Sequence, residues 1–377
     1  TPNRFFIMNE TELLHLLALL KVEGVGDIVA KKLINHCGTA ENIFKLKASK
    51  LTSIDGIGQN LIKNLKDKSV FVKATNELDF IKKNDIKVCY YQDNNYPERL
   101  KHCIDGPVLL FYTGTINWNT RKIISIVGTR QVTPYGADFC KKLIEDLAPL
   151  NPIIVSGFAY GVDIVAHQAA MDNNLQTIGI LAHGLNQIYP KTHKRYISKM
   201  DKNGGFMTEF WSNSNPEKEN FVKRNRIVAG IAEATIVIES AEKGGSLITA
   251  TMANDYNRDV FAVPGRTSDR LSLGCNNLIK TQRAHLLSSA ADVLYILNWE
   301  IENTSKKGTK VIQKQLFISL DQEEQQLYDY LYLHGKQQLD VIAIASNFPV
   351  FKTASILLNM ELKGVVRPLP GKLFEMI

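Results

Sequence analysis

The sequence predicts an α/β chain: a Rossmann-like, mostly parallel sheet flanked by an N-terminal helical domain of helix-hairpin-helix/SAM-like type and a C-terminal winged helix. Three observations carry this. Between residues 121 and 297, short β-branched and apolar runs alternate with amphipathic stretches, the pattern of parallel strands covered by helices on both faces. Residues 8–70 have a helical period interrupted by two matching glycine turns. Residues 318–377 read as three helices followed by a hairpin, the order of a winged helix.

In the helical domain, Gly24-Val25-Gly26 and Gly56-Ile57-Gly58 each open a helix. The free N–H groups at such helix starts suit a phosphate oxygen, with Lys31, Lys32, Lys63 and Lys66 just beyond; the same hairpin equally serves to pack helices or bind protein. Residues 71–297 form one extended sheet domain. It begins with strand-like runs at 86–91 and 107–112 and continues through Ile123-Ile124-Ser125-Ile126-Val127, Ile153-Ile154-Val155, Thr177 to Leu181, Gly205 to Thr208, Thr235 to Ile238 and Val260 to Val263. Residues 298–317 are polar and read as a linker. Residues 1–7 lack the long apolar run of a cleaved leader, and Met8 is read as the natural start.

The 377 residues carry a formal charge of +7, a mild basic excess that permits an anionic partner. Five cysteines, none in a C-x-x-C pair, imply a reducing, cytoplasmic compartment and argue against disulfides and zinc. No apolar run reaches the roughly 18 residues of a membrane span. No Ser/His/Asp set or metal cluster is readable, so no cofactor and no metal are expected.

Ligands of open α/β sheets sit at the carboxyl ends of the strands, and the distinctive residues fall there. Gly128-Thr129-Arg130 follows the first central strand, giving a sharp exit, an anion cradle and a bidentate clamp. Gly157-Phe158-Ala159-Tyr160-Gly161 follows the next; Asp163 reads as a helix cap and His167 as a satisfied, half-buried histidine. Tyr189-Pro190-Lys191 with Lys194 and Arg195 interleaves cations and an aromatic, a pattern suited to single strands because cations track phosphates while rings stack on bases. Lys223-Arg224-Asn225-Arg226 precedes an apolar helix, and its arginines reach either an anion or nearby acids. Gly244-Gly245-Ser246 feeds a helix and forms a second cradle, with Ser246 and Thr249 as hydroxyl donors. Pro264-Gly265-Arg266 follows the last strand. The G-x-G-x-x-G dinucleotide fingerprint is absent.

Taken together, Val127 to Arg130, Ser156 to Asp163, Arg224 to Gly230, Gly244 to Ala250 and Val260 to Gly265 resemble, in order and spacing, the DprA/Smf family of DNA-processing proteins. The resemblance implies single-stranded DNA as the ligand, a homodimer through the Rossmann-like domain, and loading of RecA recombinase onto incoming strands in natural transformation. It places Arg130 and Lys191 in the family's DNA pocket, with Gly128, Gly157, Arg224, Asn225, Gly244 and Ser246 on its rim. Family members usually carry arginine where this chain has Tyr160.

The competing class is a nucleotide-processing enzyme of the phosphoribohydrolase-like Rossmann group. Its loop carries a catalytic glutamate that the run Lys243 to Ala250 lacks, which argues against an enzyme. The winged helix holds five Lys/Arg against seven Asp/Glu; DNA-reading winged helices are basic, so this one is expected to contact protein, or duplex DNA only poorly.

Overall fold

The computed structural model describes residues 9–120, 122–299, 320–369 and 373–376. The expected linker, 298–317, lies outside these from residue 300 onward, and so does Met8. The chain divides into two compact units, Thr1–Glu302 and Asn303–Ile377.

The first unit is organised by nine strands: β1 (Lys87–Tyr90), β2 (Leu109–Gly114), β3 (Ile123–Val127), β4 (Ile153–Ser156), β5 (Thr177–Ile180), β6 (Gly204–Thr208), β7 (Ala234–Val237), β8 (Asp259–Ala262) and β9 (His285–Leu286). Their order in the sheet is β1-β2-β6-β5-β4-β3-β7-β8-β9. Among the described residues, only the β1–β2 and β2–β6 pairs of this sheet are antiparallel. The chain walks outward from β3 to β6, then returns to β7 on the other side of β3. Strand order therefore reverses between β3 and β7, where a crevice opens at the carboxyl edge.

Side-chain alternation explains the two covered faces. Ile124 and Ile126 join one core with the helices Pro134–Leu147 and Val162–Asp172. Ile123 and Val127 join the other with the helices Lys218–Ile231 and Gly245–Asp255. Each fully buried isoleucine contributes roughly 1.5–3 kcal/mol over its exposed state.

The helical stretch 8–70, expected as a separate domain, shares one unit with the sheet. Its buried residues, among them Leu16, Leu33 and Ile62, form one cluster with Tyr90, Leu109, Phe111 and Trp211. The antiparallel β1–β2 edge leaves an apolar face, and the helices cover it. The long helix Ser69–Lys83 runs across the expected boundary, and its buried Glu77 accepts from Ser212 N (2.8 Å) and Ser212 Oγ (2.6 Å). Two of the lysines beyond the glycine turns are engaged: Lys32 pairs with Asp55 at 3.2 Å, and Lys31 lies 5.5 Å over the Tyr91 ring.

The second unit has helices Gln322–His334, Leu339–Ser346 and Val350–Leu362. Its strands β10 (Gln337–Gln338), β11 (Val366–Leu369) and β12 (Leu373–Met376) lie in the order β10-β12-β11. Leu327, Leu331, Ile342, Leu357 and Val366 make its core. This is a winged helix. Among the described residues, no single helix is long and apolar enough to cross a membrane.

Candidate nucleic-acid interface

Loops leaving β3, β4 and β7 converge on an open cleft of about 620 Å³. After β3, Thr129 N donates to Glu239 O (2.8 Å), and Thr133 caps the next helix by accepting from Gly136 N at 3.2 Å. After β4, Phe158 takes a left-handed backbone (φ 57°), rare for a bulky residue, which burial of its ring offsets. That ring packs on His167, His193 and Phe206, at centroid distances of 5.7, 5.2 and 4.9 Å. Gly161 (φ 77°) lets the two loops dock: a Cβ there would stand 2.2 Å from Thr129 O, and Val162 N donates to that same oxygen at 3.1 Å.

Asp163 is a turn stabiliser, accepting from Ala159 N at 3.2 Å. Burial pushes its carboxyl up from the usual range, opposed by Arg224 and Arg130. His167 is fully buried rather than half-buried, with Nδ1 2.6 Å from Thr177 Oγ1. Burial pushes the imidazole down to about 3, so it is neutral at physiological pH.

Nine of the residues expected in the site line this cleft: Gly128, Thr129, Arg130, Gly157, Arg224, Asn225, Gly244, Gly245 and Ser246. They differ in what they have left to offer. Arg130 is exposed, its guanidinium 5.1 Å over the Phe221 ring, with no hydrogen bond or ion pair among the described residues. Arg224, expected on the pocket rim within reach of an anion or nearby acids, is only 4% exposed. Its Nη1 donates to the carbonyls of Gly157 (2.6 Å) and Ile180, and Nε donates to Asn225 Oδ1 at 3.3 Å. It ties the ends of β4 and β5 together. A Cβ on Gly157 would meet Arg224 Nη2 at 2.5 Å, so a larger residue there must displace the guanidinium. Burial lowers this guanidinium to about 10, which leaves it charged at neutral pH. Ser246 is also buried, and its hydroxyl donates to Ser240 Oγ at 2.9 Å rather than reaching outward.

Arg226, expected at the DNA site with either an anion or nearby acids in reach, takes the acids. It lies outside the cleft, paired with Glu209 and with Asp27 (3.1 Å), and it donates to Asp105 O. It fastens the helical stretch to the sheet. Burial drives Glu209 up to about 7, although Arg226 opposes that. Lys223 is exposed and lines no part of the cleft. Tyr160 and Lys191 are likewise exposed outside its walls. Tyr160 Oη lies 3.2 Å from Thr192 Oγ1, and its ring is 5.0 Å from that of His193, so the Tyr160 and Lys191 segments form one patch continuing from Ala159 on the cleft wall.

Sequence reasoning missed Phe221, Lys218 and Lys243, which also line the cleft. Phe221 stands three residues before Arg224 on one helix, a spacing that puts both on one face and was available as a signal. Tyr189, 40% exposed, meets Phe221 at 6.0 Å, edge to face. The cleft thus combines exposed cations (Arg130, Lys218, Lys243), free N–H groups at the start of helix Gly245–Asp255, and an aromatic wall. Cations and N–H groups hold phosphates, and rings stack on bases. Among the described residues, no group of three or more His, Cys, Asp or Glu side chains could hold a metal.

The sequence model of the family described as DNA recombination-mediator protein A matches residues 87–298. That of the DprA winged helix domain matches residues 315–372. Protein Smf of Synechocystis sp. is 32% identical over 288 residues, 74% of this chain and 72% of its own. DNA processing protein DprA of Streptococcus pneumoniae is 40% identical over 202 residues, 54% of this chain and 71% of its own. The X-ray structure of the S. pneumoniae protein is similar with a TM-score of 0.61 at 31% identity, covering 75% of this chain and 97% of that one. DNA processing protein A of Helicobacter pylori, studied for its single-stranded DNA binding mode, gives 0.51 at 28% identity over 56% of this chain and 95% of that one.

Proposed function

The chain belongs to the family of DNA recombination-mediator protein A, the DprA/Smf DNA-processing proteins, and from that premise we propose that it binds single-stranded DNA in the cleft between β3 and β7. The observation that carries the reading is the exposed Arg130 beside Phe221, over a cleft walled by glycine turns and a helix start. Phosphates lie against Arg130, Lys218, Lys243 and the N–H groups. Bases stack toward Phe221 and Tyr189. Such contacts carry no base code, so binding is independent of sequence.

The same reading assigns the protein to the cytoplasm, where it protects incoming strands and loads RecA recombinase onto them during natural transformation. A homodimer through the Rossmann-like domain brings two clefts onto one strand and raises affinity through effective concentration. The role is binding rather than turnover: Asp163, the acid on the cleft wall, is buried and committed to its own turn.

A gel-shift comparison of oligo-dT with duplex DNA at two salt concentrations tests this. The expected result is preference for the single strand, with a log–log salt slope of roughly −0.7 per phosphate neutralised. Equal binding of duplex, or release of adenine from AMP, contradicts it.

A further inference from the structure

A second cleft, of about 980 Å³, opens at the same carboxyl edge, between the β3 exit loop and the loop after β8. The first cleft is lined as far as Arg130 and the second from Thr133 onward. The Cα atoms of these two residues are at most about 11 Å apart, three peptide spacings of about 3.8 Å. The openings are therefore neighbours, separated by one folded turn.

The floor of that turn is settled internally. Glu239 is buried and accepts from Thr133 N (2.8 Å) and Thr133 Oγ1 (2.5 Å). The loop after β8 is held from several sides. Asn276 clamps Gly265 through both its N–H (3.2 Å) and its carbonyl (3.0 Å). Ser240 N donates to Leu271 O at 2.7 Å, and Tyr135 Oη donates to Pro264 O at 3.0 Å. From this fixed loop stand Arg266 and Arg270, both exposed, with no ion pair or side-chain hydrogen bond among the described residues. One exposed acid, Asp269, lies between them and offsets part of their charge. Tyr135, 52% exposed, supplies a ring on the opposite wall.

Unspent arginines on a preorganised loop, facing an exposed ring, repeat the composition of the first cleft. We propose that the second cleft is an extension of the nucleic-acid track: a strand seated at Arg130 continues over the β3 exit turn, its phosphates meeting Arg266 and Arg270 and a base meeting Tyr135. This rests on the reading of the first cleft. Because the loop is already ordered, binding there costs little reorganisation.

The test uses the full chain and two probes, oligo-dT of about six and about twenty nucleotides, one within and one beyond the roughly 4–16 nucleotides that a single-strand-binding module covers. Substituting Arg266→Ala with Arg270→Ala is expected to leave the short probe's affinity at wild type. The long probe weakens several-fold, and its salt slope falls by about 1.4, two phosphates at roughly 0.7 each. The Arg266→Lys, Arg270→Lys pair, which keeps both charges, retains the slope. Both arginines lack side-chain partners among the described residues, so an unchanged melting curve accompanies either pair. Unchanged long-probe affinity and slope overturn the proposal while leaving the first cleft intact, and so does equal weakening of both probes. Failure of Arg130→Ala to weaken even the short probe instead removes the reading on which it stands.

Discussion

The two walls of the first cleft use arginine in opposite ways. On the β3 side, Arg130 stands in solvent with only a ring beneath it. On the side of helix Lys218–Ile231, Arg224 is consumed by strand-end carbonyls, and Arg226, two residues on, by acids outside the cleft. A helix turns about 100° per residue, so these two arginines point roughly 200° apart. One braces the cleft and the other braces the helical stretch against the sheet. A positive charge in a motif contributes to ligand binding only if the fold has not already spent it.

This contrast is most exposed to test at Arg226. Arg226→Met leaves Asp27 and Glu209 without their cation, and breaking such a buried pair costs about 3–5 kcal/mol. Urea unfolding should show that loss, while the affinity of the folded fraction for oligo-dT stays at wild type. Adding Glu209→Gln should recover part of the stability. A large affinity loss with unchanged stability would put Arg226 on the ligand side.

Next in size is Phe221, on the helix wall with its ring beneath Arg130. Phe221→Ala removes the ring under Arg130 and should weaken oligo-dT binding by about 1–3 kcal/mol, the usual worth of one stacked base. An effect below that range would make the wall mere packing.

A smaller, pH-linked effect comes from His167 beneath the β4 exit. Its folded value lies near 3 against the usual 6.5, so below about 6.5 the unfolded chain takes up a proton that the folded chain refuses. This contribution to stability is whole above that pH and is lost as pH falls toward 3. Melting temperatures between pH 7 and pH 4 should therefore drop in the wild type and drop less in His167→Gln. Parallel curves would contradict a buried neutral imidazole.

Much of the sheet was legible because both faces are covered. Runs such as Ile123 to Val127 are apolar but for Ser125 and buried at every position, and their exits carry glycine. The strand His285–Leu286 was not legible: two exposed residues give no pattern. The helical stretch looked independent because its own period is complete, whereas the partner that merges it with the sheet, the β1–β2 edge, is distant in sequence. The site was half legible. Glycines and Arg130 sit at strand ends, which position alone predicts. Arg224 and Arg226 were read as a loop ahead of a helix, yet the helix begins at Lys218 and sends them to different faces. Whether a hydroxyl such as that of Ser246 is spent on Ser240 depends on a neighbour that only the fold supplies.

The salt dependence of oligo-dT affinity in wild type and Arg130→Ala tests the central claim most directly. An exposed, unpaired guanidinium that neutralises one phosphate predicts an affinity lower by about 1.5–3 kcal/mol, the worth of a hydrogen bond to a charged group. It also predicts a log–log slope shallower by about 0.7. Identical slopes and affinities in the two proteins would mean that the strand does not pass Arg130, and the cleft between β3 and β7 would not be its seat.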